Sequence, residues 1–372
     1  MKIAEKSRQA GAKAWFVWSL SAVAFGYAFF QRVAPSVMVS DLMSEFSIGA
    51  AMTGYLSALY FYPYVALQFP LGAMLDRFGV RALLAFAVGL AAAGSLLFGS
   101  AQSIEQAYVG RVMIGCGSAV GFLSSLRLAA NWFPAPRFAF LAGLVMLFGM
   151  ISGIGGQAPL AWLISQTGWR DAMFAAGMFA AALCLLIAIF VRDAPAGAKI
   201  HLADKTQNWS AILNALKDAL SRREVWLIAL VATTMTGPML AFGGLWGVPY
   251  IMGEYQLERP EAALYVSMML FGWAAGAPTA GWLSDRIRRR KAPMVYAAIA
   301  QAALMAAIAC LPGIPLGLMI AMMFLIGMMG AAMAITFALA REVTDPAIHG
   351  SVSGIVNAMT VASGAILQPI IG

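Results

Sequence analysis

Arg32 stands inside an apolar run, F-G-Y-A-F-F-Q-R-V-A-P-S-V-M-V at residues 25–39, and arginine does not shed its charge in proteins. Placed at mid-membrane, such a side chain costs at least ~2.5 kcal/mol on insertion scales, so it faces a cavity or a partner. Steps of three and four along a helix put Arg32, Phe29, Ala28, Phe25 and Ser21 on one face. A cation walled by aromatics suits a ligand pocket, and a guanidinium grips carboxylates and phosphates with two parallel hydrogen bonds. None of the 16 acids lies in the middle of an apolar run, so an anionic group on a solute is the expected counter-ion. The alternative is outward snorkelling to Asp41 or to lipid headgroups, across ~13 Å of helix rise.

Two further arginines lie within apolar runs. Arg111 is six residues from Glu105, and the pair is a candidate for ion coupling; Arg127, four residues before Asn131, is either a second substrate contact or a snorkelling cation. Tyr27, Gln31, Tyr60, Tyr64, Gln157, Trp246, Tyr250 and Asn357 are the other candidate substrate contacts, with Gln368 a further polar candidate. Tyr and Trp at such places also serve helix packing or the membrane interface. The spans hold no Ser/His/Asp set, metal-ligand cluster or phosphate loop, so neither an enzyme nor a bound cofactor or metal is expected. Cys116, Cys184 and Cys310 fall in apolar runs as small core residues.

The elements that must carry these side chains are membrane-spanning helices. Of 372 residues, 62% are hydrophobic and 11% charged, with a mean hydropathy of +0.81, which places the chain outside soluble composition. Segments of ~20 apolar residues fall near 14–39, 50–74, 80–100, 106–131, 138–164, 171–191, 225–252, 261–283, 293–311, 315–340 and 350–372, eleven spans in all. The hydrophobic run that opens the chain is far longer than a signal peptide's and is expected to remain as an anchor. The polar interval divides a six-span unit, 1–193, from a five-span unit, 225–372; the linker, 194–224, contains a possible interfacial amphipathic helix from Asn208 to Leu220. With the N-terminus cytoplasmic, nineteen of the 24 Lys and Arg fall on the cytoplasmic side, as the positive-inside rule requires. The net charge of +8 then reflects orientation in a bilayer and implies no nucleic-acid partner.

A motif recurs 209 residues apart: G-A-M-L-D-R-F-G-V-R, Gly72 to Arg81, and G-W-L-S-D-R-I-R-R-R-K, Gly281 to Lys291. Repetition of Gly72, Asp76 and Arg77 as Gly281, Asp285 and Arg286 points to two homologous halves about a central site. Here the chain resembles the major facilitator superfamily, whose signature loop has the form G-x-L-x-D-R-x-G-R-R; Arg288 departs from it at the second glycine. R-V-M-I-G-C-G, Arg111 to Gly117, is similar to the pattern of that family's fourth helix. The resemblance covers essentially the whole chain and implies an all-α integral membrane fold of two pseudo-symmetric helix bundles, with eleven spans present of an expected twelve. The missing span is expected to reflect truncation.

The resemblance further implies that the loop, with Arg81, is a latch favouring the outward-open state. From the residues alone, Gly72 would let helices approach closely, while Asp76 and the arginines would bind helix ends; topology determination is the alternative role for these charges. Organic-anion and organophosphate importers of the superfamily resemble the chain at Arg32 and, before W-F-P, at Arg127. The second arginine of the phosphate-ester importers is absent, since the offset maps Arg32 to Ala241. One cation suits a carboxylate or zwitterion better than a phosphate dianion. The expected function is therefore secondary or facilitated transport of a small organic anion by a monomer, by symport among other modes, in the bacterial inner membrane. Alternatives are a permease for small peptides or siderophore-like zwitterions, and a non-transporting receptor or scaffold.

Overall fold

In a membrane every backbone polar group needs a protein partner, so a chain this apolar closes its hydrogen bonds within helices. A computed structural model describes residues 11–195, 209–345 and 348–372. Lys2, Lys6, Arg8, Lys199, His201 and Lys205 lie outside the described residues.

Each of the eleven expected spans corresponds to helix. Span one is α1 (Ala12–Val33) with a 3-10 turn at Ala34–Val37 and a short α2 (Val39–Glu45). Span two is broken into α3 (Ala50–Ala58), α4 (Phe61–Gln68) and the first part of α5 (Leu71–Gly99); the rest of α5, beyond Gly79, is span three. Span four comprises α6 (Ile104–Ser118) and α7 (Gly121–Trp132), span five α8 (Phe138–Gly155) and α9 (Ala158–Thr167), and span six α10 (Trp169–Phe190). The amphipathic segment forms α11 (Trp209–Ser221). Span seven is α12 (Arg223–Pro238), a π-helical stretch Met239–Trp246 and α13 (Gly247–Tyr255). Then come α14 (Arg259–Ile287), α15 (Lys291–Cys310), α16 (Leu316–Gly330) with α17 (Ala334–Val343), and α18 (His349–Ile371). Among the described residues, nine helical stretches are long and apolar enough to cross a membrane. The two expected spans outside that set are residues 50–78, interrupted by turns, and α14, which starts at Arg259 and ends beside Asp285 and Arg286.

The interruptions fall mid-span and have local causes. Pro35 and Pro63 remove hydrogen-bond donors, Gly156 ends α8, and Pro238 precedes the π-helical stretch. Irregular backbone at membrane depth survives only where protein or a cavity covers it. The broken spans one, four and seven, with 67%, 61% and 56% buried, belong at the centre, while span five, α10 and α15, with 29%, 28% and 28% buried, are more exposed.

One hydrophobic core, including Trp18, Leu84, Leu128 and Ile187, lies wholly in the first six spans. A smaller one around Val225 and Val356 joins the last five spans to α11 through Ala219, and another, around Met235 and Met294, lies wholly in the last five. A fourth joins the halves through Tyr60, Phe61, Leu240, Met269 and Ala365.

Candidate functional site

Arg32 occupies the last turn of α1, and its guanidinium carbon lies 4.5 Å from the Phe29 ring centre, 5.2 Å from Tyr64 and 6.0 Å from Tyr60. Phe29 is the aromatic wall expected from helical spacing, and the two tyrosines join it from α4 and its N-cap, their rings 5.9 Å apart and nearly parallel. A desolvated cation–π contact is worth up to ~2 kcal/mol, so three such rings offset a cost of ~2.5–3.5 kcal/mol for a mid-membrane arginine. The cation therefore persists without a carboxylate. Among the described residues it forms no ion pair; Asp41, the snorkelling target, is held instead by Arg259 at 2.7 Å. Arg32 is 8% exposed and its Nε has no hydrogen-bond partner. Guanidinium N–H donors left unmet are the kind of group that a carboxylate satisfies.

Arg111 is 1% exposed and acts on the backbone. It donates to the Gln31 carbonyl at 3.1 Å and to the Ser57 carbonyl at 3.3 Å, with the Tyr60 ring centre 5.2 Å away. In an unbroken helix the Gln31 carbonyl would receive the N–H of residue 35, but that residue is proline. Arg111 supplies the missing donor. Glu105 is exposed in the first turn of α6, apart from Arg111, whose guanidinium is spent on main-chain acceptors next to Arg32.

Several expected substrate contacts turn elsewhere. Tyr27 and Gln31 form a buried triangle with Ser95 on α5, with Tyr27 Oη to Ser95 Oγ 2.6 Å, Gln31 Nε2 to Tyr27 Oη 2.7 Å and Gln31 Nε2 to Ser95 Oγ 3.0 Å. One helical position is a rotation of ~100°, which carries Gln31 away from the face of its neighbour Arg32. Tyr60 donates to the Ala28 carbonyl at 2.9 Å and bridges spans one and two. Arg127 forms an ion pair with Asp76, so its charge is met within the protein. Tyr250 donates to the Ile308 carbonyl at 3.2 Å.

Gln157, Trp246, Asn357 and Gln368 bind the broken helices together. Gln157 Nε2 donates to the Gly243 carbonyl in the π-helical stretch at 2.8 Å, and its Oε1 accepts from Ser267 at 3.0 Å. Gln368 Nε2 donates to the Leu240 carbonyl of the same stretch at 2.8 Å, and Trp246 Nε1 donates to the Gln368 carbonyl at 2.9 Å. A π-helical turn leaves carbonyls out of the regular ladder, and the two glutamines satisfy them from opposite halves. Asn357 Nδ2 reaches Gln68 Oε1 at 3.5 Å, also across the halves.

The Asn357–Gln68 bond lies toward the repeated loops, Gln68 being four residues before Gly72, whereas the bonds of Gln157, Trp246 and Gln368 lie toward the opposite end of the bundle. There Gly54 packs directly on α18; a Cβ at that position would come within 2.8 Å of the Pro369 Cα. Pro369 leaves the Ala365 carbonyl without its helical donor, and Tyr62 fills that place from the other half at 3.2 Å. Arg259 reaches Asp41 and Ser40 across the same seam.

Each repeated loop engages its own half. Among the described residues, Arg81 bonds within its own half: its backbone N–H donates to Asp193 at 2.8 Å and its Nε to the Ala188 carbonyl at 2.9 Å. Its repeat mate Arg290 pairs with Asp285 and, at 2.9 Å, with Glu342. These acids, Asp285 first, hold the Arg290 guanidinium above its ordinary pKa range. Arg77 lies 5.5 Å from the Phe78 ring centre and Arg286 5.2 Å from that of Trp282. The close-approach role expected for Gly72 and Gly281 is corrected, since an added Cβ meets nothing within 4 Å at either. The demanding position is Gly79, at φ +77°, beneath Asp193. Its counterpart 209 residues on, Arg288, also adopts positive φ, +50°.

The apolar helices define an integral, multi-pass membrane protein. The Major Facilitator Superfamily model matches residues 20–369, and the chain belongs to that family of transporters. It is 24% identical over 271 residues to a probable sulfoacetate transporter, SauU, of Cupriavidus necator, covering 71% of this chain and 63% of the relative. It is 24% identical over 288 residues to a gallate transporter of Pseudomonas putida, covering 70% and 62%. With a probable L-galactonate transporter of Escherichia coli the identity is 24% over 267 residues, covering 69% and 58%. The chain thus spans somewhat less than two thirds of these relatives' lengths. Among solved structures, a bacterial homologue of the human lysosomal transporter Spinster, inward-facing and unoccupied, superposes with a TM-score of 0.77 at 17% identity, over 97% of this chain and 82% of the other.

Proposed function

We propose that the chain carries a small organic anion across the membrane by alternating access, binding the solute's carboxylate at Arg32. The observation that carries this reading is the buried guanidinium ringed by Phe29, Tyr60 and Tyr64, with Nε lacking a partner. The solutes for which those relatives are named, sulfoacetate, gallate and L-galactonate, are organic acids and support the class. The basic loops at one end support a cytoplasmic N-terminus. The cross-half seal at the opposite end supports a resting state open to the cytoplasm.

Uptake of labelled mono- and dicarboxylates into proteoliposomes, beside a dipeptide panel, tests this with Arg32→Ala and Arg32→Lys. Carboxylate uptake is expected to fall at least about tenfold in Arg32→Ala, since a hydrogen bond to a charged group contributes ~1.5–3 kcal/mol. Undiminished uptake of every substrate by Arg32→Ala would remove the assignment. Uptake restricted to dipeptides would replace the carboxylate solute with a zwitterion.

A further inference from the structure

The turn joining α14 to α15 concentrates positive charge: Arg286, Arg288, Arg289, Arg290 and Lys291 fall within six positions. Arg290 turns inward, donating to Asp285, to Glu342 and to Ser284 at 3.1 Å, which pins the turn to α17. Arg288, Arg289 and Lys291 remain exposed, and among the described residues none of them forms an ion pair. Beside them opens a groove of about 550 Å³ lined by Arg289, Arg290, Lys291, Ala292, Val295 and Tyr296.

Below its basic mouth the groove continues as an apolar strip on α15, where Val295 is 53%, Tyr296 73% and Ile299 61% exposed. Trp282, 60% exposed on α14, lies at the same end beneath the Arg286 guanidinium. Aromatic side chains at that level mark the headgroup region. Cations above and aliphatic surface below match an amphiphile with an anionic head, and basic pockets between spans hold acidic lipid headgroups. A soluble phosphate would have no use for the strip.

We propose that this groove is a docking site for an anionic phospholipid, its phosphate held by Arg289 and Lys291 and an acyl chain lying along Val295, Tyr296 and Ile299. Among the charges elsewhere at this end, Arg81 is committed to the Ala188 carbonyl and Arg127 to Asp76. The site is separate from Arg32 and does not depend on which solute is carried.

The test is native mass spectrometry of the full chain with phosphatidylglycerol against phosphatidylcholine, followed by titration in nanodiscs. Phosphatidylglycerol is expected to be retained preferentially. The Arg289→Gln/Lys291→Gln variant should weaken its binding by about fivefold for each cation, roughly 25-fold for both, and Arg289→Lys should retain it. Tyr296→Ser should weaken binding with all charges intact. The control Arg137→Gln/Arg192→Gln removes two cations from the other half and should bind as the parent does; unchanged thermal melts establish that the variants fold. Equal retention of both lipids, or equal losses in the control, would overturn the proposal in favour of diffuse surface charge. Displacement by millimolar glycerol phosphate would overturn it in favour of a soluble phosphate.

Discussion

Replacing Gln157 by leucine tests whether the seal opposite the repeated loops sets the resting state. Gln157 is fully buried and joins span five to the other half through two hydrogen bonds, to Gly243 at 2.8 Å and from Ser267 at 3.0 Å. Ser267 keeps its bond to the Ala263 carbonyl at 2.7 Å, so the substitution leaves chiefly the Gly243 carbonyl unmet. A buried acceptor stripped of its partner costs ~1–3 kcal/mol. That cost falls on the sealed state alone, because an opened seam hydrates the carbonyl. The equilibrium should shift toward opening at this end by roughly fivefold to 150-fold.

The readout is maleimide labelling of Ala365→Cys in a background without Cys116, Cys184 and Cys310. Ala365 is 3% exposed under the Tyr62 hydroxyl, so it labels only from the open state, and the rate follows that state's population while it is minor. Gln157→Leu is expected to raise the rate at least about fivefold. An unchanged rate, with carboxylate uptake also unchanged, would refute the view that these bonds hold the halves together.

Two other perturbations follow from the same geometry. Arg111→Lys keeps the charge but loses the fork that reaches Gln31 and Ser57 together; thermal stability should fall by ~1–3 kcal/mol, and an unchanged melt would show that neither carbonyl depends on it. Asp76→Asn and Arg127→Gln should be non-additive in a stability cycle, with a coupling of roughly 0.5–1 kcal/mol for a half-exposed pair; strict additivity would dissolve the pair.

The expected spans were legible because hydropathy and length act locally, and all eleven correspond to helix. The Phe29–Arg32 contact was legible for the same reason, being one helical step on one face. The direction of Gln31 was not, since a residue beside the site in sequence is turned ~100° from it in space. Pairings such as Asp76 with Arg127 and Gln157 with Gly243 depend on how helices cross. A local signal does mark two of the acceptors: a proline within a helical run strips a donor from the carbonyl four residues earlier. Applied to Pro35 and Pro369, that rule marks the acceptors later met by Arg111 and Tyr62.

The seam sealed by Gln157, Tyr62 and Arg259 is fastened mostly by neutral amide and hydroxyl donors, with the Arg259–Asp41 contact its charged member among the described residues. Parting such a closure strands no ion in hydrocarbon, and water replaces each lost bond as the crevice wets. On the proposed alternating-access reading, the barrier between states would thereby stay shallow, with acidity and salt acting on the seam through the Arg259–Asp41 pair. Solute binding at the interior cation would then be what biases the exchange.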